Sequence, residues 1–168
     1  FTQYYMAFVN ALPDCMITED VARIISHDRT YDDEKHLALP DAKKLLEILR
    51  SQGYHTGIIS DTFPSVENDL RKLGIVDLFD TYTYSYTFGV FKPDPIMYED
   101  ALKQMQILPG ETVFVDDLSI NLLGAEKYGI HGIQSLAKPG SVSDGIHPYI
   151  HRPMDLLLIL EAMQSSDQ

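Results

Sequence analysis

Apolar positions along this chain switch repeatedly between two periods. Spacing of three and four over "PDAKKLLEILRSQG" (residues 40–53) predicts an amphipathic helix that Pro40-Asp41 opens and Gly53 closes. "YHTGIIS" follows as a short, mostly apolar strand, then a helix over residues 64–73 with Gly74 behind it. Thr and Tyr alternate in "DTYTYSYTF" (residues 80–88), which reads as one extended run with Tyr82, Tyr84 and Tyr86 on one face. A helix over residues 93–106, the buried-type strand "TVFVDD", a helix over residues 119–129, the strand "IHGIQ" and a last helix over residues 155–164 complete the series. The loop between the last strand and helix is rich in Pro, Gly, Ser and His. Short strands alternating with helices of this length indicate βαβ units and a parallel sheet.

The first 40 residues break that rhythm. Residues 1–12 and 18–27 read as helices and "HDRTYDDEKH" as a polar surface loop, so this part forms a separate layer or subdomain. A length of 168 residues suits about one domain, and 45% apolar with 23% charged residues argues against disorder. The net charge of −12 disfavours nucleic acid or an anionic membrane as partner, because phosphate backbones need a basic face. It still allows a small phosphorylated ligand held by a few local cations or a metal. No stretch approaches a membrane span and no signal peptide is evident, and the single Cys15 fits a reducing compartment, so the default location is the cytoplasm.

Candidate chemistry collects where parallel strands should end, since ligands of open α/β sheets bind beyond the carboxyl ends of strands. Ser60-Asp61-Thr62 follows "YHTGII", Lys92 follows the Tyr/Thr run, and Asp116-Asp117 follows "TVFV". Together they supply a hydroxyl, a cation and paired carboxylates, a set able to hold a phosphate and a divalent metal. Two adjacent carboxylates repel each other unless a cation joins them, and hard oxygen ligands of this sort suit magnesium. The other reading is structural: Asp117 caps the helix beginning near Leu118 while Asp116 accepts backbone donors.

"GIISDT" followed by "FGVFKPDPIMYEDALKQMQILPGETVFVDDLSINLLGAEKYGIHGI" resembles the second, third and fourth motifs of the haloacid dehalogenase (HAD) superfamily. The resemblance implies an α/β fold, with a Rossmann-like core and parallel sheet over residues 40–168 and the remnant of a helical cap over residues 1–39. It also implies roles. Ser60 would hydrogen-bond the transferring phosphoryl group, with Asp61 beside it in the phosphate-binding set. Lys92 would pair with that group and with the nucleophile. Asp117 would ligate Mg2+, and Asp116 would support it directly or through water. Haloacid dehalogenases proper carry a Ser/Asn-type fourth motif, so Asp-Asp favours magnesium-dependent hydrolysis of a small phosphorylated metabolite through an aspartyl-phosphate.

The family's nucleophile lies in an Asp-x-Asp motif at the end of the central strand, and this chain contains no Asp-x-Asp. Met16 follows Asp14 at the position of the second acid. The central strand and the nucleophile are therefore expected from elsewhere. The chain would be a fragment of an active enzyme, inactive alone. Alternatively, a second chain or the cleaved N-terminal segment would donate the strand, or the chain would be a truncated, inactive binding or scaffold protein.

Three further features are read as structural. His147 and His151 stand four apart, but Pro148 and Pro153 prevent the continuous helix that would let them share a metal. The three tyrosines suit packing. "KPGS" (residues 138–141) lies near the carboxyl end of the last strand, where it could approach a substrate, but it lacks the flanking glycines of a phosphate loop and reads as a turn.

Overall fold

The computed structural model describes residues 18–31 and 38–166. The chain divides into two compact units, Phe1–Leu37 and Ala38–Gln168. In the first, α1 (Glu19–Tyr31) opens with Glu19 and Asp20 in its first turn, favourable against the helix dipole. It continues through residues 28–31, which the sequence pattern assigned to a loop. The expected helix at residues 1–12 and Cys15 lie outside the described residues.

The second unit carries an α/β core. Helix α2 (Ala42–Ser51) buries Leu45 and Leu49 and ends where Gly53 turns left-handed, so that the Tyr54 amide reaches back to the Leu49 carbonyl. Strand β1 (Gly57–Ser60) follows, then α3 (Val66–Lys72). Strand β2 (Thr81–Tyr84) is shorter than the Tyr/Thr alternation predicts. The chain leaves it at Ser85 for a single helical turn, α4 (Ser85–Phe88), which Gly89 closes at φ +72°. The Ser85 hydroxyl causes the departure: it accepts from the Thr62 amide and donates to the Thr62 carbonyl, which ties this corner to the end of β1. Tyr86 therefore leaves the strand face, although its ring still stacks on Tyr84 with centroids 5.4 Å apart.

Helix α5 (Pro95–Met105) starts at Asp94, whose carboxylate accepts the Ile96 amide, with Pro95 at its first position. Then come β3 (Val113–Asp116), α6 (Ser119–Glu126), β4 (His131–Ser135), a two-residue strand β5 (Tyr149–Ile150) that no sequence pattern announces, and α7 (Leu156–Ser166).

All pairings are parallel, in two groups: β1 with β2, and β3 with β4 and β5. Helices cover both faces. Leu45, Leu49, Ile133, Ile150 and Leu156 join α2 and α7 to one face. On the other, Tyr98 of α5 and Ala125 of α6 pack with Ile130, Ile59 of β1 and Phe114 of β3. This second cluster spans both strand groups. Among the described residues no strand lies between β1 and β3, and both are largely half-buried, whereas β4 is buried over Gly132–Gln134. The outer edge of β2 is finished differently. The Gln104 carboxamide accepts from the Tyr82 amide and donates to the Tyr82 carbonyl, and so occupies backbone groups that another strand would seek.

Candidate active site

Lys92 stands between the two strand groups. Its Nζ donates to the Ile59 carbonyl on β1 at 3.2 Å and to Asp116 Oδ2 at the end of β3 at 2.7 Å. The ammonium also lies 5.6 Å from the Phe114 ring centroid. The lysine side chain is 10% exposed and that of Asp116 5%, so the pair is nearly removed from water. Among the described residues, two of the three Nζ–H donors have partners, which leaves one for a ligand oxygen.

The backbone before the lysine is fixed by Asp61. Its Oδ1 accepts the Lys92 amide at 2.9 Å, so the Asp61 carboxylate positions the lysine loop across from β1. Ser60, the last residue of β1, is half-buried, and its hydroxyl makes no hydrogen bond among the described residues.

Asp116 and Asp117 have opposite surroundings. Asp116 Oδ1 accepts the Leu118 amide at 2.8 Å and the Asn121 carboxamide at 3.0 Å, while Oδ2 takes Lys92. Asp116 therefore takes the backbone donor at the start of α6. Asp117, 35% exposed, pairs with Lys138 at 2.5 Å, and this lysine is 74% exposed. The hydrogen bond and charge of Asp117 raise the Lys138 pKa above its ordinary value.

Helix α6 is held close by Gly124, where a β-carbon would meet Pro93 Cβ at 2.7 Å and the Tyr98 hydroxyl at 2.8 Å. Tyr98 is fully buried and donates to the Asn121 carbonyl at 2.8 Å. Burial, reinforced by the Asp116 and Asp61 charges, pushes its phenol well above the usual range and keeps it neutral. Asn121 thus carries backbone and side-chain contacts into the site. Its place five residues after Asp116, on the helix that begins at the strand end, is the signal that could have singled it out.

Donor chemistry decides which carboxylate suits a cation. Asp116 has its oxygens engaged by three donors, whereas Asp117 has only an exposed lysine among the described residues. Among the described residues no group of three or more His, Cys, Asp or Glu is gathered for a metal. Magnesium fits such a setting, because it keeps several waters and often uses one or two protein carboxylates plus substrate phosphate. His147 and His151 do not form a shared site. The His147 ring is buried with Nδ1 2.5 Å from Asp144 and Nε2 3.2 Å from Glu126 Oε1, while His151 is exposed at the end of β5.

The structure thus brings Lys92, Asp116 and Asp61 together by direct bonds and sets Ser60 next to Asp61 in the chain. Asn121 is a contact that sequence reasoning passed over, and Lys138, read from the sequence as part of a turn near the end of the last strand, is brought to Asp117. Among the described residues no helix is long and apolar enough to cross a membrane.

A family model described as haloacid dehalogenase-like hydrolase matches residues 9–129. Glyceraldehyde 3-phosphate phosphatase of Pyrococcus furiosus is 35% identical over 94 residues, covering 55% of this chain and 39% of that protein. (S)-2-haloacid dehalogenase 4A of Burkholderia cepacia is 31% identical over 109 residues, covering 64% of this chain and 47% of that protein. The matched part thus spans less than half of either relative. A crystal structure of a HAD phosphatase from Thermococcus onnurineus superposes with a TM-score of 0.72 at 22% identity, over 94% of this chain and 78% of that one, which shows the shared fold.

Proposed function

Because the chain belongs to the haloacid dehalogenase-like hydrolases, we propose that it builds most of the catalytic core of a magnesium-dependent phosphatase acting on a small phosphorylated metabolite. The observation that carries this reading is the nearly buried Lys92, bonded at once to β1 and to Asp116 at the end of β3, with a donor to spare. A fixed cation between two strand ends is preorganised for charge on phosphoryl oxygens, and it needs no rearrangement as that charge develops. Ser60 offers a hydroxyl donor at the end of β1, and Asp61 holds the Lys92 backbone in place.

Asp117 would hold the magnesium ion, with Asp116 behind it keeping Lys92 and Asn121 in register. When bound, the metal supplies further positive charge to the phosphoryl oxygens. The nucleophile comes with an extended strand that enters between β1 and β3 and bears a carboxylate at its end. In the reaction, a carboxylate oxygen attacks phosphorus and the bond to the leaving oxygen breaks. The leaving oxygen takes a proton from an acid on the same strand. Water then cleaves the acyl phosphate and restores the carboxylate.

Two features support an inserted strand. The facing strands are half-buried where a continuous sheet would be buried, and unpaired backbone groups inside an α/β core are unfavourable. The strand belongs to polypeptide outside this sequence, either continuous with it or on a second chain. A cytoplasmic location is part of this reading, supported by the single Cys15, which suits a reducing compartment.

The test is release of inorganic phosphate from small phosphate esters by the full-length protein, with and without Mg2+, beside the 168-residue chain alone. Metal-dependent release by the first and none by the second is expected. Turnover by the chain alone would overturn the outside nucleophile. Halide release from 2-haloacids with no phosphate release would overturn the phosphatase reading.

A further inference from the structure

Lys138 reaches the site from the loop between β4 and β5, and that loop is braced rather than slack. Leu136 is buried, and its amide bonds to the Ile150 carbonyl at 2.8 Å. The Gln134 side chain ties β4 to the returning limb of the loop, accepting from the Asp144 amide at 2.9 Å and donating to the Val142 carbonyl at 3.4 Å. Asp144 Oδ1 in turn accepts the Ile146 and His147 amides, and the buried His147 ring packs beside Gly132, whose added β-carbon would meet it at 3.0 Å. On this base the Ser141 amide returns to the Lys138 carbonyl and Gly140 turns left-handed. The result is an exposed lysine presented at Asp117 by a fixed turn.

We propose that Lys138 is a positioning residue that serves as the resting counter-cation of Asp117 and is exchanged for the divalent metal. This rests on the reading of Asp117 as the metal-holding carboxylate. Asp116 has its own lysine, nearly dry and bonded to the sheet, so that partner does not leave. The Asp117 partner is three-quarters exposed, has a short path into water, and occupies the carboxylate that a metal needs. Without a cation, Asp117 would stand uncompensated beside Asp116 in a chain of net charge −12. With Lys138 in place the carboxylate is kept oriented, and metal binding becomes a competition.

Mn2+ titration of the full-length protein, read by loss of the free-ion paramagnetic signal, tests this without recourse to turnover. Lys138→Ala should bind Mn2+ about two- to five-fold more tightly than wild type, the size expected for removing one exposed ion pair. Lys138→Arg should bind like wild type, and Asp117→Asn should bind weakly whether or not Lys138 is present. Unchanged or weaker binding by Lys138→Ala, with Asp117→Asn still impaired, overturns the exchange and leaves the metal assignment standing. Wild-type Mn2+ affinity in Asp117→Asn overturns both.

Discussion

Asp116 and Asp117 are neighbours in sequence, and each faces a lysine, yet the two ion pairs have little else in common. The inner pair is nearly dry, and its lysine is also bonded to a carbonyl of another strand. The outer pair sits in water at the tip of a loop. Strand alternation explains the difference. Asp116 points to the face covered by α5 and α6, where Phe114 also lies, and Asp117 is the first residue beyond the strand. A buried pair responds strongly to loss of one partner because the other charge is stranded, whereas an exposed pair contributes little to stability. The inner pair therefore belongs to the framework, and the outer one is where exchange can occur.

The largest test of this contrast is Lys92→Ala. Turnover of the full-length protein should fall by at least about 10²-fold, as for loss of an oxyanion donor, and unfolding free energy by about 3–5 kcal/mol. Denaturant melts alongside kinetics would show both, and near-normal turnover would remove Lys92 from the mechanism.

Gly124→Ala comes next, since it drives α6 away from Tyr98 and Pro93. Overpacking of this sort costs about 1–3 kcal/mol. The damage should reach Asn121 and Asp116 while leaving the Lys138 turn alone. A destabilisation no larger than that of a surface alanine would show that α6 has room to shift.

Lys138→Ala, by contrast, should change stability by less than about 1 kcal/mol, and the change should shrink with added salt. A salt-insensitive loss of several kcal/mol would erase the contrast between the pairs.

The smallest effect expected is on pH dependence near the outer pair. Asp144, in the loop that presents Lys138, has its carboxyl held well below the usual range by a hydrogen bond from Ser119 and by the His147 and Ile146 amides. A depressed carboxylate stabilises the fold above its unfolded pKa, about 3.9. That contribution is lost as pH falls from there through the folded value. Asp144→Asn should therefore flatten the acid limb of the stability curve below about pH 4. An unchanged limb would mean that the loop is not braced by this charge.

The sequence carried the regular elements well where period and punctuation agreed. Residues 40–53 show both a helical stripe and a terminal glycine, and α2 lies there with Gly53 left-handed. The same agreement located β1, β3 and β4. It failed where a single side chain redirected the backbone: nothing in Thr/Tyr alternation tells that Ser85 will bond to Thr62 and end β2. β5 was invisible because two residues carry no periodicity. The strand-end groups Ser60, Lys92 and Asp116-Asp117 were legible because a parallel sheet exposes that edge. Which aspartate Lys92 would choose was not, since both stand equally close in sequence. Lys138 was read as part of a turn, and only the packing of the loop brings it to Asp117.

The Gln104 carboxamide at the outer edge of β2 limits how this chain can assemble. Among the described residues, that flank has its Tyr82 backbone groups taken by a side chain of the same chain and the opposite flank is reduced to the two residues of β5, so templating of further copies has little purchase on either outside margin. A strand supplied between β1 and β3, as proposed above, would then be the favoured addition to this sheet.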